Sequence, residues 1–302
     1  MRRFLINVVA FSAILLVINM ILTHYGEKIY FGKYQNHSLD YHSYILCDSH
    51  GEPLMNNAEK YGIYNFSAGS DSYIDMKRKL NYLINKTRID TIYISVDEHT
   101  LSPYREKTNN QDRSTYYATY ADYDNALQYA RAKVVQQLAI FQPKQRTLLK
   151  KYFGKQINSV FKKQKEKTTK PKSSTPTPPK KPHTWADKTD KQRSESINTR
   201  YGSQFPNMHP SAELEQALQT IIQTCQKENI VLIGIKFPLE EDYIKKIGKR
   251  TFGASKIFEA HSLPVLDFQA KYMTQKALFR DQDHLNADGG VIFVKEWLGG
   301  DK

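Results

Sequence analysis

A chain of 302 residues, 40% hydrophobic and 12% aromatic, can bury the core of one medium α/β domain with additions. Its formal net charge of +13 would suit nucleic acid, anionic lipid or an acidic polymer. Much of that charge falls between Lys144 and Lys181 and reads as a solvated basic linker, and the Lys/Pro-rich tract of residues 164–191 is nearly devoid of aromatics, unlike a nucleic-acid-binding face. The two cysteines, Cys47 and Cys225, lie in or beside apolar runs and form no C-x-x-C pair, which argues against a disulfide framework or a zinc site and for two buried free thiols.

At the N-terminus, Arg2 and Arg3 precede an uncharged stretch from Phe4 to Leu22, long enough to cross a hydrocarbon core as a helix of about 20 residues. No small-residue cleavage pattern follows it, so residues 1–23 read as an uncleaved single-pass anchor. Positive charge before the span places the N-terminus inside. The expectation is a bacterial cytoplasmic (inner) membrane protein whose C-terminal domain is periplasmic or extracellular.

Tyr44–Cys47 reads as a strand entering a sharp turn at Asp48-Ser49-His50-Gly51, and Tyr61–Phe66 as a second strand ending at Ser67-Ala68-Gly69-Ser70. Apolar residues at helical spacing (Met76, Leu80, Leu83, Ile84) predict a helix over Tyr73–Lys86. The β-branched run Thr91–Val96 predicts a central strand, ending at Asp97-Glu98-His99-Thr100. Three times, then, a buried strand runs into small and polar residues, where open parallel sheets hold their ligands. Beyond Pro103 the composition changes. A helix is expected over Asp122–Phe141, and residues 164–191, rich in Lys, Pro, Thr and Ser, are expected to be disordered or extended. Order is expected to return at Pro210, with a helix at Ala212–Glu228, a strand at Ile230–Phe237, a helix at Glu240–Ile247, a strand at Val265–Phe268 and a last helix at Ala287–Trp297. This alternation predicts a doubly wound α/β sandwich with a mostly parallel sheet over residues 24–302, with residues 101–208 as an insertion that could be a lid, an arm or a loop.

Three motifs carry chemistry. Cys47-Asp48-Ser49-His50 puts a serine on a strand-to-helix turn that exposes its hydroxyl, though the same residues could simply cap the next helix. Asn65-Phe66-Ser67-Ala68-Gly69 ends on a glycine whose N–H could face an oxyanion, or which could be a plain turn glycine. In Asp281-Gln282-Asp283-His284 an aspartate three residues ahead of a histidine can hold the ring at Nδ1 and leave Nε2 for a serine; Asp283 is a rival whose adjacency makes the geometry harder. Asp-x-x-His could equally be half a metal site or a helix cap.

In this order the three motifs resemble those of the SGNH/GDSL hydrolase superfamily, over about residues 41–100 and 230–297. The resemblance implies an SGNH hydrolase-like fold, a flavodoxin-like three-layer sandwich, here behind an N-terminal transmembrane helix. It implies Ser49 as nucleophile and first oxyanion donor, Gly69 as second donor, Asp281 as orienting acid and His284 as base. Two positions depart from the pattern. Cys47 stands where the family has glycine, and Ser95–Thr100 lacks the usual oxyanion-hole asparagine, so that Asp97, if ionised, would repel an oxyanion and His99 is the candidate replacement donor. The resemblance extends to anchored proteins that add or remove acyl groups on cell-surface polymers. The implied activity is that of an esterase or O-acyltransferase on acyl, chiefly acetyl, esters of envelope polysaccharide. The implied partners are an acylated glycan or acyl donor and a membrane-bound acyltransferase. The alternative is a catalytically inactive binding or scaffolding subunit of an envelope polysaccharide system. No cofactor, metal or nucleic acid is expected.

Overall fold

The computed structural model describes residues 1–138, 143–144, 146–155 and 184–300. It divides into two units, Met1–His37 with Thr119–Lys181, and Ser38–Ala118 with Pro182–Lys302. The boundary therefore runs through the expected 101–208 insertion, whose two ends belong to the larger unit.

In the smaller unit a helix spans Arg2–Gly26 and continues through a wider turn at Glu27–Phe31. Arg2–Phe31 is long and apolar enough to cross a membrane. Two of its polar side chains, Asn19 and Thr23, both donate to the carbonyl of Gln137, at 3.3 and 3.1 Å. That carbonyl ends the helix Ala126–Gln137, which is shorter than the expected Asp122–Phe141; Phe141 lies outside the described residues.

The larger unit is an α/β domain. Five parallel strands, β1 (Ser43–Leu46), β2 (Ile63–Asn65), β3 (Thr91–Ser95), β4 (Val231–Lys236) and β5 (Val265–Asp267), lie in the order β2-β1-β3-β4-β5. All five were legible as short apolar runs, most plainly β1, where a sheet covered on both faces buries Tyr44, Ile45 and Leu46 in succession. Helices Tyr73–Ile84 and Ala212–Lys227 pack on each other over one face. The helix Ala254–Ala260, not anticipated from the sequence, joins them, with Phe258 filling the space over Gly234. On the other face Trp297 of the C-terminal helix Ala287–Leu298 meets Tyr93 edge-on at 5.1 Å. The chain leaves β1 for β2 on one side and returns to β3 on the other, so the carboxyl ends of β1 and β3 border the crevice where such sheets bind ligands.

Two glycines close the ends of this domain onto each other. Gly289 and Gly290 open the C-terminal helix, and a Cβ on Gly290 would sit 1.9 Å from the carbonyl oxygen of Pro53, just past the β1 turn. Only a bare Cα lets the helix approach that backbone. Gly290→Ala is therefore expected to push the helix away and destabilise the fold by about 1–3 kcal/mol, read as a lowered midpoint in thermal unfolding. A variant melting with the wild type would mean that the helix is not seated there.

The tail of the expected disordered segment is ordered. Residues 164–183 lie outside the described residues, but Trp185–Asp187 forms a 3₁₀ turn and Asp190–Gln204 a four-turn helix, so regular structure resumes about 20 residues before Pro210. This helix is polar, with only Ile197 and Gln204 buried, and gave no apolar periodicity to read.

Candidate active site

Ser49 occupies the turn that leaves β1. Gly51 N–H donates to the carbonyl of Asp48 at 3.1 Å, and the Asp48 carboxylate accepts the His50 N–H at 3.0 Å, so the turn is tied twice and Ser49 rides at its crest. A Cβ on Gly51 would lie 2.2 Å from Ser67 Oγ, which fixes glycine where the turn passes under the end of β2. The chain continues into 3₁₀ turns at Glu52–Leu54 and Asn57–Tyr61, not into the α-helix the sequence suggested.

His284 reaches this serine from the other end of the domain. β6 (Phe279–Asp281) pairs antiparallel with β7 (His284–Leu285), and Asp281 and His284 are direct partners across the two-residue turn Gln282-Asp283. The pairing places Asp281 Oδ1 2.7 Å from His284 Nδ1, and Nε2 of the same ring lies 2.8 Å from Ser49 Oγ. With the proton on Nδ1, the ring donates to Asp281 and accepts from the serine hydroxyl. Asn286 caps the helix that follows, accepting the Gly289 N–H at 2.9 Å, so the docked helix holds the hairpin in place.

Asp283 is a second carboxylate on the imidazole, its Oδ1 3.3 Å from His284 Nδ1. Its other oxygen accepts from Arg200 Nε at 2.7 Å and Gln204 Nε2 at 3.0 Å, both on the helix Asp190–Gln204. Burial works to raise the Asp283 pKa, but the charge and hydrogen bond of His284, with His50 and Arg200, hold it well below the carboxylate range. For His284, burial works to lower the pKa and is outweighed by the Asp283 charge and the hydrogen bonds to Asp281 and Asp283, leaving it above 6.5.

Behind the triad lies a buried charge cluster. His50 Nδ1 is 2.8 Å from Asp97 Oδ2, and Nε2 is 3.7 Å from Asp283 Oδ2. Burial would lower the His50 pKa, but the charges of Asp48 and Asp97 drive it well above 6.5, which favours the charged ring. Asp97 also accepts the Phe237 N–H at 2.9 Å, so its charge is met by two donors. Asp48 accepts from Arg105 at 3.0 Å. Burial would raise its pKa, and His50, Arg105 and His99 hold it well below the usual range.

Of the residues expected to receive an oxyanion, the structure brings only Ser49 to the site with its donor available: its backbone N–H makes no hydrogen bond among the described residues. Gly69 N–H instead donates to Glu52 Oε1 at 2.9 Å. The His99 ring is buried, with Nε2 3.6 Å from Asp48 Oδ2, and burial pushes its pKa down. Asn110 is buried beside Gly69, donating to the Gly69 carbonyl and to Asp71, both at 2.7 Å.

His50, Asp283 and His284 bring possible metal-donor atoms within 4.8 Å of one another. Most of these atoms are already taken up by protein partners: His50 Nδ1 by Asp97, the two His284 nitrogens by Asp281 and Ser49, and the Asp283 oxygens by Gln282, Arg200 and Gln204. Both cysteines are buried and unpaired, and burial raises the thiol of Cys225 to about 12 and that of Cys47 well above its ordinary value; neither is a nucleophile at neutral pH.

Sequence reasoning missed Glu52, His50, Arg105 and Arg200. Only His50 carried a signal, its place inside the Asp-Ser-His motif. Neither models of known protein families nor curated proteins match the chain.

Proposed function

We propose that this chain is a membrane-anchored serine esterase or O-acyltransferase of the SGNH/GDSL type, built on a flavodoxin-like sandwich. Its substrates are acyl, chiefly acetyl, esters of cell-envelope polysaccharide. One observation carries the reading: the continuous hydrogen-bonded line from Ser49 Oγ through His284 to Asp281, formed from two segments 235 residues apart. Ser49 Oγ attacks the ester carbonyl as its proton passes to His284 Nε2. The Ser49 N–H receives the developing oxyanion, and the imidazolium returns the proton to the leaving alcohol. The acyl group then leaves Ser49 for water or for a sugar hydroxyl. Asp281 keeps the ring in the tautomer this requires. The apolar Arg2–Phe31 helix supports a single-pass anchor. The proposed topology is N-terminus inside, with the catalytic domain in the periplasm or outside the cell, beside a membrane-bound acyltransferase that supplies the acyl donor.

A second reading, a catalytically silent binding or scaffolding subunit, draws on the Glu52 carboxylate, which occupies the Gly69 N–H where an oxyanion donor is needed. The two readings separate in one experiment on the full chain in detergent micelles. Wild type, Ser49→Ala and Glu52→Ala are treated with a fluorophosphonate probe and with p-nitrophenyl acetate. The enzyme reading expects labelling and turnover that vanish in Ser49→Ala, and turnover raised roughly tenfold in Glu52→Ala as the Gly69 donor is freed from a charged acceptor. Equal, unlabelled behaviour of all three would leave the scaffold.

A further inference from the structure

Beside the Asp281–His284 hairpin lies an open groove of about 720 Å³, within the range of small-ligand sites of about 300–1,000 Å³. One wall is the helix Asp190–Gln204, which presents Gln192, Ser196, Thr199 and Ser203; Tyr104 and Gln282 face it. Its charged side chains are Asp187, Glu195, Lys188 and Arg200, two of each sign. No aliphatic side chain lines it, which disfavours an acyl chain, and the balanced charge disfavours a polyanion. Hydroxyls, amides and one phenol ring, mixing donors with acceptors, fit a ligand that is itself a dense array of hydroxyls.

The groove also touches the catalytic line. Ser196 Oγ donates to Gln282 Oε1 at 2.9 Å, and Gln282 Nε2 donates to Asp283 Oδ1 at 3.0 Å. Arg200, on the same wall, grips the other oxygen of Asp283 at 2.7 Å. An occupant lying against Gln282 and Arg200 is therefore one carboxylate away from the His284 ring.

We infer that this groove binds the glycan, a neutral oligosaccharide held beside the hairpin that carries His284, so that a hydroxyl of the sugar chain continuing past Gln282 reaches the base. This rests on the Ser49 reading for its chemistry but not for its binding. In the transfer step the sugar hydroxyl loses its proton to His284 Nε2 and attacks the acyl carbon. The Ser49 ester bond breaks, and the proton passes to Ser49 Oγ, so an ester is exchanged for an ester with no other reactant. The helix that forms the wall then has a use: it makes the sugar side of the site, while the β1 turn makes the acyl side.

The test uses the full chain in micelles, with cellotetraose and chitotetraose as probes. Saturation-transfer NMR reads binding, and mass spectrometry reads acetylated sugar per p-nitrophenol released from p-nitrophenyl acetate. Thr199→Trp fills the groove, and Tyr104→Ala removes the phenol from the opposite wall should the first variant not fold. Expected are saturation transfer to at least one probe in the wild type and in Ser49→Ala, its loss in Thr199→Trp, and a transfer ratio about tenfold lower in either groove variant. Binding and transfer equal in wild type and both variants, or no saturation of either sugar by the wild type, would overturn the inference. Sugar binding without Ser49-dependent turnover would keep the groove and remove the enzyme. Ser49-dependent turnover without sugar binding would do the reverse.

Discussion

Replacing Ser49 with alanine is expected to cut ester turnover by about 10⁶-fold, and Asp281→Asn by about 10⁴-fold, if the hydrogen-bonded line works as a triad. The two losses have different causes. Alanine removes the attacking oxygen, and what remains is the background from binding and the Ser49 N–H. Asparagine leaves the ring in place but can donate to Nδ1, which favours the tautomer with its proton on Nε2, facing Ser49. Asp283, 3.3 Å from the same nitrogen, invites the question of which carboxylate matters. Its outer oxygen is already held by Arg200 and Gln204, so it cannot turn to take over from Asp281. The pH profile tells the two apart. The base must be neutral, and His284 is raised above 6.5, so activity should rise with pH along a limb centred above that value. Asp283→Asn removes the leading charge that raises it, and the limb should move down. Asp281→Asn should lose rate at every pH. If Asp283→Asn lost the rate and Asp281→Asn kept it, the roles assigned to the two aspartates would be exchanged.

How much of this was readable beforehand follows from the range of each contact. The central strands showed because burial on both faces writes itself into three or four consecutive residues, as in Tyr44–Cys47 and Ile94–Val96. Asp281 and His284 showed because a two-residue turn makes their pairing local. Gly69 and His99 were placed by position after a strand, and position does not say where a side chain or an N–H points. Glu52 took the one and Asp48 the other. The helix Asp190–Gln204 was hidden because its contribution is polar and distant. Arg200 meets Asp283 across 83 residues, and no window of sequence holds both. The Lys/Pro-rich tract before it further masked its start. The 101–118 stretch escaped for the same reason: Arg105 belongs with Asp48, 57 residues away.

Asp48→Asn is expected to destabilise the domain by about 3–5 kcal/mol, the cost of removing one partner from a buried ion pair. At this chain length that is on the order of 10 °C in melting temperature. Asp48 accepts at both oxygens, from the His50 N–H and from Arg105. An amide nitrogen in either place faces a donor and leaves the buried guanidinium without its counter-charge. The pH dependence carries the sign of each group. Asp48 is depressed, so its contribution is present above the ordinary 3.8 and is lost as pH falls through its lower folded value. His50 is raised, so its contribution is complete below 6.5 and is lost as pH rises through its higher folded value. Wild-type melting temperature should therefore hold across neutral pH and decline on both sides. The Asp48 charge leads the groups that raise His50, so in Asp48→Asn the alkaline decline should begin at lower pH as well as from a lower plateau. Circular-dichroism melts of the full chain in micelles across pH measure both. A variant with the wild-type plateau and the wild-type alkaline limb would mean that His50 is not held as a cation between these carboxylates. The turn carrying Ser49 would then owe its position to packing alone.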